Sequence, residues 1–159
     1  MEIAAVAIGV VNVTARAGSK IWTLCESWKE APKEVHYLRD SLVRAQEFFS
    51  QVKLGIEKGR LDELASNPLQ DDSLRQLELL LKQGLATIVG IEAIVQDITD
   101  GQHSPSRGRG IHSSIQEPLS RRRKMLWLAN AAKVARLRTG LKEISMMICA
   151  SLVSLNVLS

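Results

Sequence analysis

Apolar residues along most of this chain recur at alternating steps of three and four residues, the spacing of one face of an α-helix. Three segments carry such a seam, and none alternates with a period of two as a half-buried strand would. The first seam is Val35, Leu38, Leu42, Ala45, Phe49, Val52 and Ile56. The second is Leu74, Leu77, Leu81, Gly84, Ile88, Ile91, Val95 and Ile98. The third is Val134, Leu137, Leu141, Ile144, Ile148, Ser151 and Leu155. The pattern predicts an all-α fold.

Helix boundaries follow from local signals between the seams. Pro32 disfavours helical geometry at Ala31 and suits the first turn of a new helix. Asp71, Asp72 and Ser73 are favourable residues at a helix start, whereas Thr99-Asp100-Gly101 is typical of an end. We therefore predict helices over about 3–29, 32–57, 71–99 and 119–156, with a long flexible loop over about 100–118. An antiparallel four-helix-type bundle, forming one domain over 1–159, is the simplest architecture.

The first segment has 13 uncharged residues, 3–15, and is apolar on all sides. A signal peptide would need a basic start, which Glu2 opposes, although Ala15 and Ala17 fit a cleavage site. A spanning helix needs roughly 20 apolar residues, so a longer span would have to carry Arg16 and Lys20. A core helix of a soluble bundle is the favoured interpretation of the resting state.

The same segment is also usable in a membrane after release from the bundle. Ala5 and Gly9 form a small-x-x-x-small pair, which permits close helix contact in lipid. The candidate membrane-insertion residues are Ile3, Ala5, Val6, Ile8, Gly9, Val10, Val11 and Val13.

Charge is distributed unevenly. Residues 1–103 carry 11 Lys and Arg against 15 Asp and Glu, whereas residues 104–159 carry 10 against 2. A candidate surface for anionic lipids or a partner consists of Arg107, Arg109, Arg121, Arg122, Arg123 and Lys124. Each cation near an anionic leaflet contributes about 1 kcal/mol. A solvated helix start is an equally open interpretation. Nucleic-acid binding is not favoured, because no aromatic residues interleave with the arginines.

Signatures of catalysis are not found in the sequence. It has neither a Gly-rich phosphate loop with its lysine nor a nucleophile elbow. Cys25 and Cys149 have no convincing histidine partner, and we expect both to be buried apolar residues in a reducing compartment. His103 and His112 lie in the predicted loop without further ligands for a metal. We expect neither an enzyme nor a bound cofactor or metal.

Two sequence blocks carry a resemblance to a known family. The block "APKEVHYLRDSL" follows the apolar N-terminal helix, and the basic block "RRRKMLWLANAAKVARLRTGL" opens the last one. Their order resembles the HeLo-like and SesA-like N-terminal domains of fungal STAND-type immune receptors. Positions that match the family pattern are Ala31, Pro32, Glu34, Val35, Leu38, Leu42, Lys124, Trp127, Lys133, Val134, Leu137 and Leu141.

The resemblance implies a function as well as a fold. Domains of this group stand before a nucleotide-binding oligomerisation module, and HeLo-like members are cell-death executioners that act on membranes. It implies self-association on activation, contact with anionic lipids, and contact with a downstream module or a partner HeLo-like domain. It also implies a cytoplasmic resting state and plasma-membrane association when activated. The alternative is an adaptor that binds itself or a partner bundle without touching lipid.

Overall fold

The computed structural model describes residues 3–58, 71–101 and 118–155. Within these ranges the regular structure consists of four helices and no strand. They are α1 (Ile3–Ser27), α2 (Lys33–Lys58), α3 (Asp71–Asp100) and α4 (Leu119–Ser154). The predicted all-α class and the four helices are confirmed, with ends that differ from the prediction by at most about two residues, within ordinary uncertainty at helix termini. The predicted loop over about 100–118 lies almost entirely outside the described residues.

The core is aliphatic and follows the predicted seams. All seven seam residues of α2 are buried, as are all eight of α3. On α4 the buried positions include Val134, Leu141, Ile144 and Ile148, while Leu137 is partly buried against the same core. Burying a side chain of this size stabilises the fold by about 1.5–3 kcal/mol before the cost in conformational entropy. The 3–4 spacing is therefore the main determinant of which faces meet.

Helix neighbours are unequal. Helix α1 packs along both α2 and α3, and α3 packs along α4, whereas α2 and α4 meet only over a short stretch. Phe49 of α2 reaches across the interior to α3, where a Cβ atom built on Gly84 would lie 3.2 Å from its Cζ atom. Glycine at position 84 thus leaves the space that the Phe49 ring occupies.

Two helix ends show why the local signals were informative. Gly101 has φ of +63°, and its amide donates a 3.1 Å hydrogen bond to the carbonyl of Ile98. This left-handed residue stops α3, as glycine commonly does after a helix. At the start of α2, the amide of Val35 donates to the carbonyl of Pro32. Proline therefore precedes the first full turn rather than interrupting one.

Candidate functional site: the N-terminal helix and its anchors

The apolar half of α1 is docked in the bundle by one face only. Ile3, Ala7 and Val10 are buried, in line with Thr14, Ala17, Ile21 and Leu24 further along the helix. Val6, Val11 and Val13 are partly buried against the core. Ala5 is exposed, and Ile8 is 41% exposed. The segment is a core helix, as expected for the resting state, but its exposed residues, Ala5, Ile8 and Asn12, include one large apolar side chain, that of Ile8, which faces solvent.

Gly9 is not needed for packing in this arrangement. A Cβ atom built on it would have no heavy atom within 4 Å. Its neighbour in the small-x-x-x-small pair, Ala5, lies on the exposed face. The pair is therefore free of contacts that would explain its small side chains in the bundle.

The second half of α1 is anchored to α3 by charge. Arg16 donates two hydrogen bonds to the carboxylate of Glu92, from Nε to Oε2 and, at 3.0 Å, from Nη2 to Oε1. The Nζ atom of Lys20 lies 3.0 Å from Glu92 Oε2. Glu92 is only 7% exposed, so both cations offset the cost of burying it. The hydrogen bond from Arg16, with further help from Lys20, keeps the pKa of Glu92 below its ordinary value.

A further contact fixes α1 to α2. The guanidinium carbon of Arg39 lies 5.3 Å from the centre of the Trp22 ring. This is the distance of a cation–π interaction, worth about 0.5–1 kcal/mol at exposed sites. Trp22 also donates a 2.8 Å hydrogen bond from Nε1 to Glu26 within its own helix.

The end of α1 is tied to the start of α4. Trp28 is buried, and its Nε1 donates to Ser120 Oγ at 3.0 Å. Arg123 of α4 donates from Nη1 to the carbonyl oxygen of Ser27 at 3.2 Å and from Nη2 to the carbonyl oxygen of Thr99 at 2.9 Å. These acceptors lie at the C-terminal ends of α1 and α3, where carbonyls lack helical partners and cations are favoured.

Arg123 therefore differs from the rest of the predicted basic surface. It is 5% exposed, and burial lowers its pKa. Its Nε atom has no hydrogen-bond partner among the described residues. In this arrangement Arg123 does not reach an anionic surface, because the bundle uses its guanidinium internally. Arg121, Arg122 and Lys124 are exposed, while Arg107 and Arg109 lie outside the described residues.

Six of the twelve family-pattern residues are buried in the core. Ala31 and Pro32 are half-buried in the turn before α2, and Leu137 is partly buried. The fully buried members are Val35, Leu38, Leu42, Trp127, Val134 and Leu141. Packing explains the pattern at these positions, whereas Glu34, Lys124 and Lys133, which also match it, are exposed.

Helix α4 also carries exposed apolar side chains, in one group near its start and another near its end. Large side chains that face solvent are Met125, Leu128, Met146, Met147 and Val153. Cys149 follows Met147 by two residues and is exposed, so the prediction that it is buried was wrong. Cys25 is half-buried, and burial raises its pKa. The predicted seam of α4 did not reveal these exposed side chains, because it included only the residues that recur on the buried side of the helix.

Other kinds of site receive no support from the described residues. Across 3–58, 71–101 and 118–155, no group of His, Cys, Asp and Glu could hold a metal ion. None of the four helices has a stretch long and apolar enough to span a bilayer. Nothing in these ranges points to an enzyme.

Sequence reasoning missed the role of Glu92 and the internal role of Arg123. Glu92 borders the α3 seam, but its importance depends on cations of another helix.

Comparison of the chain with protein-family models, curated proteins and solved structures finds no significant match.

Proposed function

We propose that this chain is a membrane-targeting, oligomerising domain of a fungal immune system of the heterokaryon-incompatibility type, which executes or signals regulated cell death. It rests in the cytoplasm and associates with the plasma membrane when activated. The N-terminal half of α1 is its acting element. The resemblance of the "APKEV" and "RRRKMLW" blocks to HeLo-like and SesA-like domains supports this class of function.

The observation that carries the proposal is the uneven anchoring of α1. Every hydrogen bond or ion pair that joins α1 to another helix within the described residues involves Arg16 or a later residue. Among the contacts within 3–58, 71–101 and 118–155, residues 3–13 are held by apolar packing alone. This half can leave the bundle without breaking any polar contact seen in those ranges, and it exposes Ile8 even when docked. Apolar packing lost on leaving would be regained in the acyl region of a bilayer.

The basic surface supplies the second element of the mechanism. Arg121, Arg122 and Lys124 are exposed at the start of α4, and Arg107 and Arg109 are expected to add to them. Attraction of these cations to anionic headgroups would concentrate the protein at the membrane. Arg123 keeps its structural role. Self-association, followed by contact with a nucleotide-binding module or a partner HeLo-like domain, completes the proposed sequence.

The proposed architecture is an antiparallel four-helix bundle with a long loop before α4. Contacts between α3 and α4 support opposite directions for these two consecutive helices, whereas the C-terminal ends of α1 and α3 both lie at Arg123, so α1 and α3 pack side by side in the same direction. Cβ atoms built on Gly84 and Gly90 would lie 3.7 Å from Ile144 and 3.6 Å from Leu137. As residue numbers rise along α3, those of the facing residues on α4 fall.

The experiment uses matched charge substitutions at exposed valine and isoleucine positions. Ile8→Glu lies on α1, and Val89→Glu lies on α3 with a similar exposed fraction of 44%. Both should fold, because neither side chain is buried. We expect Ile8→Glu to abolish leakage of anionic vesicles and killing on expression in fungal cells, while Val89→Glu retains both. Equal activity of the two variants would refute insertion through α1, and so would full activity of Val6→Glu/Ile8→Glu.

A second candidate function, an interaction adaptor, is favoured by the exposed apolar side chains of α4. Met125, Leu128 and Met146 are 51%, 65% and 63% exposed. Large apolar side chains that face solvent are typical of a surface that binds another helix. The adaptor predicts concentration-dependent self-association in sedimentation velocity that Leu128→Glu/Met146→Glu removes. It also predicts no binding to vesicles at any anionic lipid fraction.

A further inference from the structure

A groove separates α2 from α4 on the side of the bundle where these helices barely meet. Its volume is about 570 Å³. Ala45 and Phe48 line it from α2, and Leu141 lines it from α4. Ala45 and Leu141 are buried, and Phe48 is half-buried with its ring edge-on to Phe49 at a centroid distance of 5.3 Å. The floor of the groove is thus apolar and held by the core beneath it.

The sides of the groove are cationic. Arg44, Arg138 and Lys142 all line it, and no carboxylate is among the lining residues. Arg138 donates from Nε to Ser41 Oγ at 3.2 Å, which holds its guanidinium beside α2. None of the three cations forms an ion pair with another residue within 3–58, 71–101 and 118–155. Three cations around one apolar depression repel one another, and an anion among them would remove that repulsion.

The size of the groove limits what fits. Small-molecule sites have volumes of about 300–1,000 Å³ and combine apolar walls with a few polar groups. The groove lies within this range and combines an apolar floor with three cations, so it matches a small ligand that has both an anionic and an apolar part.

We propose that the α2–α4 groove binds a single-chain amphiphile with a phosphate or carboxylate head. Arg138 and Lys142, with Arg44 opposite, hold the head. The chain lies on Ala45, Phe48 and Leu141. Residues of α1 and of the basic surface at 121–124 take no part, so this site is independent of membrane insertion through α1.

The test measures binding of defined compounds to the full chain by calorimetry and by NMR shifts of backbone amides. The probe is n-decyl phosphate below its micellar concentration. Inorganic phosphate presents the head alone, and n-decyl maltoside presents the same chain on a neutral head. We expect n-decyl phosphate to bind at least about tenfold more tightly than either, because both halves of the site contribute. Amide shifts should concentrate at residues 41–48 and 135–145.

Three outcomes of this comparison would overturn the proposal. If n-decyl maltoside bound as tightly as n-decyl phosphate, the cations would contribute nothing to binding. If inorganic phosphate bound as tightly, the apolar floor would contribute nothing. Binding of an acidic amphipathic peptide at these amides in preference to n-decyl phosphate would assign the groove to a protein partner.

Matched variants on α4 separate the site from general charge. Arg138→Gln/Lys142→Gln should weaken binding of n-decyl phosphate about tenfold or more. Lys133→Gln/Arg136→Gln removes the same charge from the same helix outside the groove and should leave binding unchanged. If both double substitutions weakened binding of n-decyl phosphate equally, the loss would be due to the change in net charge and the proposal would be refuted.

A second pair of variants tests the space itself. Ala135 lines the groove and is exposed, whereas Ala132 is exposed one turn earlier and does not line it. Ala135→Trp should block binding with every charge intact, and Ala132→Trp should not. Unchanged thermal unfolding will show that both variants fold. Retained binding in Ala135→Trp would place the ligand elsewhere and overturn the assignment.

Discussion

Arg16 of α1 and Glu92 of α3 share two hydrogen bonds, the second of which joins Nη2 to Oε1 at 3.0 Å. Glu92 is almost fully buried, while Arg16 remains in contact with water. The carboxylate consequently depends on α1 for its compensation. This dependence couples the docking of α1 to the charge of a single residue on a neighbouring helix.

Removing the charge of Glu92 should loosen α1. In Glu92→Gln the side-chain shape is kept, but Arg16 and Lys20 lose their anion. We expect faster hydrogen exchange in residues 3–24 and leakage of anionic vesicles at lower protein concentration. Glu78→Gln is the control, because Glu78 pairs with Lys82 within α3. Identical exchange in the two variants would show that the Glu92 contacts do not hold α1.

Acidification should have the same effect through protonation. The pKa of Glu92 in the bundle is below its ordinary value because Arg16 and Lys20 favour the carboxylate. A lowered pKa adds stability above the unfolded value of about 4.3, and this is lost as the pH falls through the folded value. The difference in melting temperature between the wild type and Glu92→Gln should therefore narrow below about pH 4.3. A difference that stays constant between pH 7 and pH 3 would contradict this account.

Substitution of Arg123 and substitution of its neighbour Arg122 should change the free energy of unfolding by very different amounts. Arg123→Ala removes donors to the ends of α1 and α3 and leaves a cavity, so we expect a loss of about 2–3 kcal/mol in the free energy of unfolding. Arg122→Ala removes an exposed cation and should change it by no more than about 0.5 kcal/mol. Urea unfolding measures both. Similar losses would contradict the internal role of Arg123.

Gly9 and Gly140 provide a matched pair for the membrane state. A Cβ atom at either position meets no heavy atom within 4 Å. Gly9→Leu and Gly140→Leu should each leave the resting bundle folded and stabilise it by about 0.5–1 kcal/mol through helix propensity. If Ala5 and Gly9 form a helix contact in lipid, only Gly9→Leu should reduce vesicle leakage. Equal leakage by both variants would remove the small-residue pair from the mechanism.

The sequence predicted the helices and the core because both follow from one periodicity. The α2 seam from Val35 to Ile56 is buried throughout, because a narrow apolar stripe is removed from water only when that face of the helix packs against another element. The same logic predicts the burial of Arg123. Extending the α4 seam backwards from Val134 through Asn130 and Trp127 reaches position 123 at steps of four, three and four. Grouping it with Arg121 and Arg122 by charge hid this.

Other features depend on how helices meet and have no local signature. Glu92 lies beside the α3 seam, but its partners are more than 70 residues away in the sequence. The α2–α4 groove exists because α2 and α4 each have an apolar seam but pack against each other only over a short stretch. The exposed side of Ile8 follows from α1 packing through one face, which a uniformly apolar segment does not specify.

Insertion of α1 is tested most directly by a probe at position 8. An environment-sensitive fluorophore is attached to Ile8→Cys in a chain whose Cys25 and Cys149 are replaced by serine, and Val89→Cys in the same background is the control. On addition of anionic vesicles, we expect a blue shift and protection from aqueous quenchers at position 8 but not at position 89. Vesicle binding without any change at position 8, or with equal changes at both positions, would contradict insertion of α1.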